Sequence, residues 1–457
     1  MGAQVGYLTG KFLLEFKEEV RHMKAAIMET QPEIQNKGKD PMPEAPALNP
    51  QKYYRLPWTL NDNGISWLEV TDACNLTCEG CYRPHIDNHK SLEQIAEELA
   101  VFKSQRNSDC MSLAGGDPLM HPEIVEIVRM VREGGWKPII NTNGLALGKK
   151  LLMKLKDAGA SGFTFHIDTT QIRKDSEAES EAGHNELRTK FARMVAEAGG
   201  LTCSFNQTVS VNTLDQVKDT MEWALQYPDI VHTVVFILFR SPSLTGEFDF
   251  YANGENVTEY DNYEETPWGG DSLVEARHVV AKIREVDPEF EPSAYLGGTV
   301  DPNSTKWLIG ARMANEKRGF GYVSPKYMEY LQMGHHLFKG TWLSYSTPKL
   351  LQRGKSTTAL FSLVDGGMRK IGKEYIRAMG QDEASIRDKL HMQTFTIIQP
   401  VDLMADGRAN MCDGCPDMTV YNGQLYWSCR LEEIKSHGCF MQAAPRKCEK
   451  PLQPEIV

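Results

Sequence analysis

The sequence has no apolar run that approaches the 18 residues needed to cross a bilayer. Its most hydrophobic stretch, 233–239, is short enough to be a buried strand. Basic residues are in deficit, because 50 Lys and Arg stand against 61 Asp and Glu for a net charge of −11. This balance argues against a nucleic-acid binder that relies on a broad basic face.

A secretory signal peptide is also missing from the sequence pattern. The ten cysteines are therefore expected to be reduced thiols of a cytoplasmic protein rather than disulfides. Their spacing supports this view, because several of them are grouped as metal ligands are. At 457 residues the chain is long enough for two or three domains and a sizeable core.

Three of these cysteines, Cys74, Cys78 and Cys81, form a C-x3-C-x2-C motif. Soft thiolates in a compact loop favour iron–sulfur or zinc over hard cations. A cubane [4Fe–4S] cluster has four irons, so three thiolates leave one iron open to a ligand from outside the protein. A structural zinc site prefers four protein ligands, which makes a non-catalytic zinc protein the alternative.

Strand-like and helix-like segments alternate from residue 64 to residue 240, with short connections between them. This pattern predicts six β/α units, a parallel sheet and right-handed crossovers. We therefore predict an α/β fold with a partial (β/α)6 barrel over residues 61–240. The cysteine loop follows the first predicted strand.

Glycine and polar residues come at the same end of the later strands, where parallel barrels build their sites. The candidate residues are Gly115, Gly116 and Asp117 after the second strand, Thr142 and Asn143 after the third, Asp168 after the fourth, and Asn206 and Thr208 within the fifth. Glycines let backbone groups approach a ligand closely. The alternatives are an ordinary tight turn for the glycines and a satisfied polar layer for the others. His166 is interpreted as a structural hydrogen-bonding residue.

The cysteine motif at the end of the first barrel strand resembles the radical S-adenosylmethionine (SAM) enzymes. The resemblance implies that Cys74, Cys78 and Cys81 hold a [4Fe–4S] cluster whose open iron chelates the methionine moiety of SAM. It further implies that Gly115 and Gly116 hold the SAM amino group, whereas Thr142, Asn143, Asp168, Asn206 and Thr208 surround the rest of the cofactor. Cleavage of SAM would give a 5′-deoxyadenosyl radical that abstracts hydrogen from an unactivated C–H bond. An electron donor such as flavodoxin or ferredoxin is implied as partner.

Two positions depart from the family pattern. Asp117 stands where the family has Glu, which weakens its assignment as a side-chain ligand of SAM. Gly80 precedes the third cysteine where many members have an aromatic residue, and the aromatic Tyr82 follows it instead. The contact to adenine therefore stays open.

A second cysteine group occupies the C-terminal end, at Cys412, Cys415, Cys429, Cys439 and Cys448. Four thiolates hold either zinc or a [4Fe–4S] cluster. We predict a cysteine-rich auxiliary domain over residues 401–457 with an auxiliary [4Fe–4S] cluster on four of the five, zinc being the alternative. Cys110 and Cys203 are interpreted as buried apolar residues.

The remaining segments, at the N-terminus and between residues 241 and 400, carry no catalytic motif. Residues 1–60 contain an amphipathic helical stretch, 7–28, and a Pro-rich linker, 40–50. We expect this helical extension to pack on the barrel or on a partner subunit, and the alternative is peripheral contact with a membrane. Residues 241–400 are predicted to be a helix-rich region that caps the barrel mouth and lines a substrate pocket.

Two classes of substrate are compatible with the sequence. Segments 165–170 and 205–209 resemble a branch that includes tetraether lipid synthases, which implies a lipid substrate. The competing hypothesis is modification, including methylation, of a peptide or a small metabolite.

Overall fold

The structure is a computed structural model, and it describes residues 44–79, 81, 83, 86–240, 248–258, 274–344, 354–381 and 388–446. The first half of this range runs β1 (Tyr54–Arg55), β2 (Asp62–Thr71), α1 (Leu92–Gln105), β3 (Asn107–Gly115), α2 (Ile124–Glu133), β4 (Lys137–Thr142), α3 (Lys149–Asp157), β5 (Gly162–His166), α4 (Glu181–Ala198), β6 (Thr202–Val209), α5 (Val217–Leu225) and β7 (Thr233–Leu238). The predicted amphipathic stretch 7–28, Gly80, Tyr82 and Cys448 lie outside the described residues.

The second half contains further strands and helices. They are β8 (Phe248–Ala252), β9 (Glu255–Val257), α6 (Ala276–Val286), β10 (Ala294–Leu296), β11 (Trp307–Ala314), β12 (Gly319–Tyr322), α7 (Pro325–Lys339), α8 (Gly354–Phe361), α9 (Gly366–Gln381), β13 (His391–Ile398), β14 (Asp402–Leu403), β15 (Ala409–Asn410), β16 (Met418–Tyr421), β17 (Gln424–Trp427), α10 (Leu431–His437) and β18 (Gln442–Pro445).

Strands β2 to β7 are parallel and lie side by side in chain order, with one helix in each connection. Local sequence supports these helices, as the start of α1 illustrates. The Ser91 hydroxyl accepts a hydrogen bond from the backbone N–H of Gln94, and the Gln94 side chain accepts one from the backbone N–H of Ser91. Two backbone donors at the start of the helix are thus satisfied. The predicted α/β fold with a (β/α)6 arrangement is confirmed.

The two faces of this sheet differ in chemistry. Alternate residues point to opposite faces of a strand. Phe165 and Phe205 point to the helices, where their rings lie 4.8 Å from Phe191 on α4 and 5.1 Å from Trp223 on α5. The other face, which carries Thr164 and Ser204 at paired positions, is therefore the interior of the barrel.

The sheet continues beyond the six predicted strands. Strand β13 pairs with β7 in parallel, followed by β11, β10 and β1, and with β12 paired to β11 these give eleven strands in one sheet among the described residues. Residues 241–400 were expected to be a helix-rich cap. Their described part instead contributes four strands, β10 to β13, to the barrel sheet. These strands join the sheet because β13 pairs with β7, which lies far away in sequence.

Helices α7, α8 and α9 lie at the N-terminal ends of the parallel strands. Asn107 at the start of β3 donates to the carbonyl of Gly340 after α7 (2.6 Å), and His336 lies 2.9 Å from Asp62 at the start of β2. The backbone N–H of Gly354 at the start of α8 bonds Leu390 just before β13. These helices therefore close the end of the barrel opposite the cysteine loop, not the mouth that region 241–400 was expected to cap.

The C-terminal segment fits between the two edges of the sheet. Residues Met411 and Asp413 pair with the backbone after β10, whereas Asn63 of β2 and Arg106 before β3 donate to the carbonyls of Gly414 (2.9 Å) and Cys415 (2.8 Å). From Glu44 onward the chain forms one compact unit. A separate auxiliary domain at residues 401–457 stays a prediction.

No helix within the described ranges is both long and apolar enough to cross a membrane.

Candidate active site

The cysteine loop begins where β2 ends, and the loop after β5 holds it in place. The backbone N–H of Glu79 donates to the carbonyl of Thr170 (2.8 Å), and that of Ile172 donates to Thr77 (3.2 Å). Cys78 and Gln171 form an isolated β-bridge between the two loops. Two strand ends that are three positions apart in the barrel order, those of β2 and β5, are thus joined above its interior.

The three thiols affect one another's ionisation. Burial, together with the neighbouring Cys81, Asp168 and Cys74, raises the pKa of Cys78 to about 12, and a hydrogen bond from Gln171 opposes this rise. Burial likewise raises the pKa of Cys74. A thiol must lose its proton to ligate a metal. Metal binding at this site therefore releases protons, and the metal's positive charge is needed to stabilise the thiolates.

The donor set fits an iron–sulfur cluster. Cys74 and Cys78 are half-buried and Cys81 is exposed, so the thiols reach from the barrel interior to the surface of one loop. Within the described part of the chain, no three His, Cys, Asp or Glu side chains converge closely enough to hold a single metal ion. A cubane differs from a single ion in presenting separate irons to its ligands.

Gly115 and Gly116 pack against the backbone that enters the cysteine loop. A Cβ atom on Gly115 would lie 2.1 Å from the carbonyl oxygen of Thr71, and one on Gly116 would lie 2.2 Å from that of Ala73. Gly115 also has a φ of +125°, a conformation that L-residues rarely adopt. These two glycines let β3 approach the start of the loop; their predicted contact with SAM stays a prediction.

Asp117 is a positioning residue by its geometry. It is 1% exposed, and its carboxylate accepts hydrogen bonds from the Thr142 hydroxyl (2.8 Å) and from the backbone N–H groups of Asn143 (2.8 Å) and Leu119 (2.9 Å). Burial raises the pKa of Asp117, and these hydrogen bonds counteract part of that rise. Asp117 and Thr142 thus hold the turn after β4 in place.

That turn presents Asn143 to the cysteine loop. The Asn143 amide donates to the side-chain oxygen of Asn75 (2.7 Å) and lies 3.8 Å from the Cys74 sulfur. Asn143, one of the residues predicted to bind SAM, therefore lies against a cysteine of the motif.

Asp168 is fully buried, and its carboxylate accepts hydrogen bonds from the loop after β5 and from β6. It accepts from the backbone N–H of Thr170 (3.0 Å) and that of Thr208 (2.7 Å), and it pairs with His166 Nε2 (2.6 Å). Burial raises the pKa of Asp168, but the charge and hydrogen bond of His166 outweigh burial and hold it below its usual range.

His166 was assigned a structural role from sequence, and the structure places it at the candidate site. Its ring lies on the interior face of β5, a third of its side chain is exposed, and Nε2 also lies 3.2 Å from the Thr208 hydroxyl. Burial lowers the pKa of His166, whereas Asp168 raises it by more, so the pKa is raised overall. The i, i+2 spacing of His166 and Asp168 at a strand end was the signal for this pair.

Asn206 pairs with His166 in the strand register, and its side-chain oxygen is buried without a hydrogen-bond partner. A buried polar atom without a partner is costly. Asn206 therefore has an unused acceptor at the level of the histidine, which is consistent with its predicted role in binding a ligand.

The C-terminal helix reaches the cysteine loop through buried charges. Arg83, two residues after Cys81, pairs with Glu69 of β2 and with Glu432 of α10, the latter at 2.7 Å. Lys435 extends this network, because it lies 2.8 Å from Glu432 and 3.7 Å from Asp72. Sequence analysis did not predict this contact.

The structure brings together three of the five C-terminal cysteines. The Cys412 thiol raises the pKa of Cys415 by hydrogen bonding, burial adds to this rise, and Cys429 contributes as a nearby charge. Burial raises the pKa of Cys429 to about 12, with Cys412 as the next cause. Cys439 instead packs in a separate apolar cluster with Phe250 and Met441.

Comparison with known proteins identifies the central part of this chain. Residues 68–224 match the family model of the radical SAM superfamily. The AdoMet-dependent heme synthase of Methanosarcina barkeri is 27% identical over 177 residues, which cover 38% of this chain and 50% of that protein. The probable GTP 3′,8-cyclase of Methanococcus aeolicus is also 27% identical over 177 residues, covering 37% of this chain and 58% of that protein.

Solved structures give weaker likenesses. SuiB of Streptococcus suis bound to S-adenosylmethionine aligns with 16% identity and a TM-score of 0.32 over 44% of each chain. Methylornithine synthase aligns with 16% identity and a TM-score of 0.33 over 50% of this chain and 63% of that one.

The chain spans 50% and 58% of the length of the two curated relatives above. The matched region begins within β2 and extends into α5. It contains the cysteine loop and the C-terminal ends of β2 to β6. Residues 68–224 of this chain therefore form a radical SAM domain, and the relatives that share it are named as enzymes.

Proposed function

We propose that this protein cleaves SAM reductively and uses the resulting radical to abstract hydrogen from an unactivated C–H bond of a polar substrate. The observation that carries the proposal is the cysteine loop, held by the loop after β5 and contacted by Asn143 at the C-terminal ends of parallel strands. When bound, a [4Fe–4S] cluster with SAM supplies one-electron cleavage to methionine and a 5′-deoxyadenosyl radical.

The residues of this chain would divide the work of binding and positioning. Cys74, Cys78 and Cys81 would hold the cluster. Asn143, fixed by Asp117, would orient the cofactor beside Cys74, and the backbone at Gly115 and Gly116 would approach it. These assignments rest on the contacts described above and on the match to the radical SAM family model.

The interior face of the barrel favours a polar substrate. Strand register places Asn141, Thr164, Ser204, Thr233 and Thr394 side by side at one level across five neighbouring strands. The hydroxyls of Thr164, Ser204 and Thr233 are buried without a partner. An acyl chain would leave such groups unpaired at a cost, whereas a substrate with hydrogen-bonding groups nearby suits them.

A peptide or small metabolite is therefore the substrate class proposed. The names of the relatives refer to heme and to a GTP cyclase, and they give no support to a lipid substrate. Comparing extracts of cells with and without the protein would test this: the proposal expects changes in the aqueous fraction, and a change confined to lipids would contradict it.

Formation of 5′-deoxyadenosine by the anaerobically reconstituted protein with a chemical reductant tests the reaction itself. Cys78→Ala should abolish it. Cys203→Ala is the matched control, because it removes a thiol buried on the helix side of β6, away from the loop. Full iron content in the wild type with no cleavage, with or without cell extract as a source of substrate, would contradict the proposal.

We further propose that Cys412, Cys415 and Cys429 hold an auxiliary [4Fe–4S] cluster, with zinc as the competing metal. All three lie in or beside the core that closes the barrel between β2 and β10. Metal analysis would decide: Cys412→Ser with Cys415→Ser should halve the iron per chain. Loss of zinc with unchanged iron would contradict the cluster.

A further inference from the structure

Bulky apolar side chains are exposed on one helical unit of the molecule. Of twelve large apolar residues that are exposed in the described part of the chain, seven lie in α7, in α8, in the turn after α8 or in α9. Leu337, Phe338 and Leu363 are 79%, 82% and 78% exposed. Single exposed apolar residues are ordinary, but a cluster of this kind marks an interaction site.

Six of the seven lie on α7, on α8 or in the turn after α8, and an aromatic contact joins the two helices. Tyr330 on α7 stacks on Phe361 at the end of α8, with ring centroids 6.3 Å apart. Positions three and seven residues after Tyr330 lie on the same side of the helix. We call this surface the α7–α8 face; it consists of Tyr330, Met333, Leu337, Phe338, Leu360, Leu363 and Val364.

Positive charge surrounds this face. Lys326 lies 5.5 Å from the centre of the Tyr330 ring at one end of α7, and Lys339 follows Phe338 at the other. Arg369 donates to the carbonyls of Ser362 (3.0 Å) and Leu363 (3.2 Å). The described residues of 325–381 include seven Lys and Arg but three Asp and Glu, in a chain whose net charge is −11.

We propose that the α7–α8 face docks the protein peripherally onto an anionic lipid surface. Apolar side chains that stand out from a helix insert at the boundary of head groups and acyl chains, and flanking basic residues bind the anionic head groups. A symmetric contact between two copies would place one basic rim against the other, so charge disfavours a dimer through this face. Protruding side chains also enter lipid without needing a complementary pocket.

This contact is separate from the candidate active site. Helix α7 lies at the N-terminal ends of β2 and β3, whereas the cysteine loop lies at the C-terminal end of β2. Docking would therefore leave the mouth of the barrel open to water, in keeping with the polar lining. The proposal goes beyond the proposed function and does not depend on it, because vesicle binding requires neither cluster nor SAM.

Co-sedimentation of the full-length protein with vesicles tests the proposal. Wild type should bind vesicles of phosphatidylcholine mixed with phosphatidylglycerol, bind phosphatidylcholine alone more weakly, and dissociate at high salt. Leu337→Glu with Phe338→Glu should weaken binding at least about tenfold, since two buried apolar side chains are lost. Lys326→Gln and Lys339→Gln should each weaken it about fivefold.

Met153→Glu is the matched control, because Met153 is an exposed apolar residue on α3 outside this face. It should bind as wild type does. Leu363→Glu provides a second disruption of the face if the double variant has a lowered melting temperature. No binding by wild type would overturn the proposal. So would unchanged binding by the face variants, or a dimer that these variants dissociate without any vesicle binding.

Discussion

At the scale of single residues, Gly115 has the strictest steric requirement at the candidate site. Its φ of +125° and the carbonyl oxygen of Thr71 leave no room for a side chain. We predict that Gly115→Ala lowers the free energy of unfolding by at least about 2 kcal/mol and reduces iron incorporation. Denaturant unfolding and iron analysis measure the two effects.

Gly148→Ala is the control for this change. Gly148 precedes α3 with a φ of −107°, and a Cβ there would meet nothing within 4 Å. The substitution should cost less than about 1 kcal/mol. Equal losses at both positions would show that the close approach of β3 to the cysteine loop is absent.

His166 predicts a pH dependence. Its pKa is raised in the folded state, so its stabilising pair with Asp168 is fully present below the unfolded histidine pKa of about 6.5 and is lost as pH rises through the folded value. Glu181 and Arg173 act on the ring in opposite directions and more weakly. Unfolding free energy should therefore fall with rising pH above about 6.5.

His166→Gln should remove this component of the pH profile. The measurement is urea unfolding across the neutral to mildly alkaline range, taken as wild type minus variant at each pH. Parallel profiles for the two proteins would mean that the pair with Asp168 does not contribute.

At the scale of secondary structure, α10 and the cysteine loop are joined by Arg83. Its side chain is almost fully buried between Glu69 and Glu432. Arg83→Met leaves the buried carboxylate of Glu69 without its partner and Glu432 with Lys435 alone, so we predict a loss of about 3 kcal/mol in unfolding free energy. Arg129→Met removes a partly exposed pair with Glu126 and should cost less than about 1 kcal/mol.

Chemical denaturation of both variants checks this expectation. Similar small losses would contradict a buried ion network between α10 and the loop. A lowered iron content in the Arg83 variant alone would further link this network to the cysteine site.

Element prediction succeeded where the pattern is local. The strand-like and helix-like segments predicted to alternate over residues 64–240 form β2 to β7 and the helices between them. Strand β13 was missed as a barrel strand because its partner β7 lies about 160 residues earlier. No local signal specifies so distant a pairing.

At the scale of the whole molecule, the C-terminal segment is hydrogen-bonded to the edge of the barrel. Asn63 and Arg106 at the edge of the sheet depend on the carbonyls of Gly414 and Cys415 for their hydrogen bonds. We predict that a chain ending at Pro400 fails to fold, because it exposes an edge strand and unpaired buried donors. Soluble expression and far-UV circular dichroism would test this. A folded, soluble truncation would indicate a separable domain instead.

Local sequence patterns were enough to predict the cysteine loop and the parallel barrel. The spacing of Cys74, Cys78 and Cys81 and the alternation of short apolar strands with amphipathic helices are local properties, and local patterns can be identified without coordinates. They were sufficient to predict the resemblance to radical SAM enzymes and the end of the sheet where the candidate site lies.

Which residues meet at that site follows from the packing of the folded chain. Asp117 supports Asn143, His166 pairs with Asp168, and Arg83 connects the loop to α10 through contacts that join distant parts of the chain. This packing also places α7–α9 at the opposite end of the barrel and Cys439 away from Cys412. Such outcomes depend on how side chains from separate elements fill one interior, and packing of that kind leaves no periodic trace in the sequence.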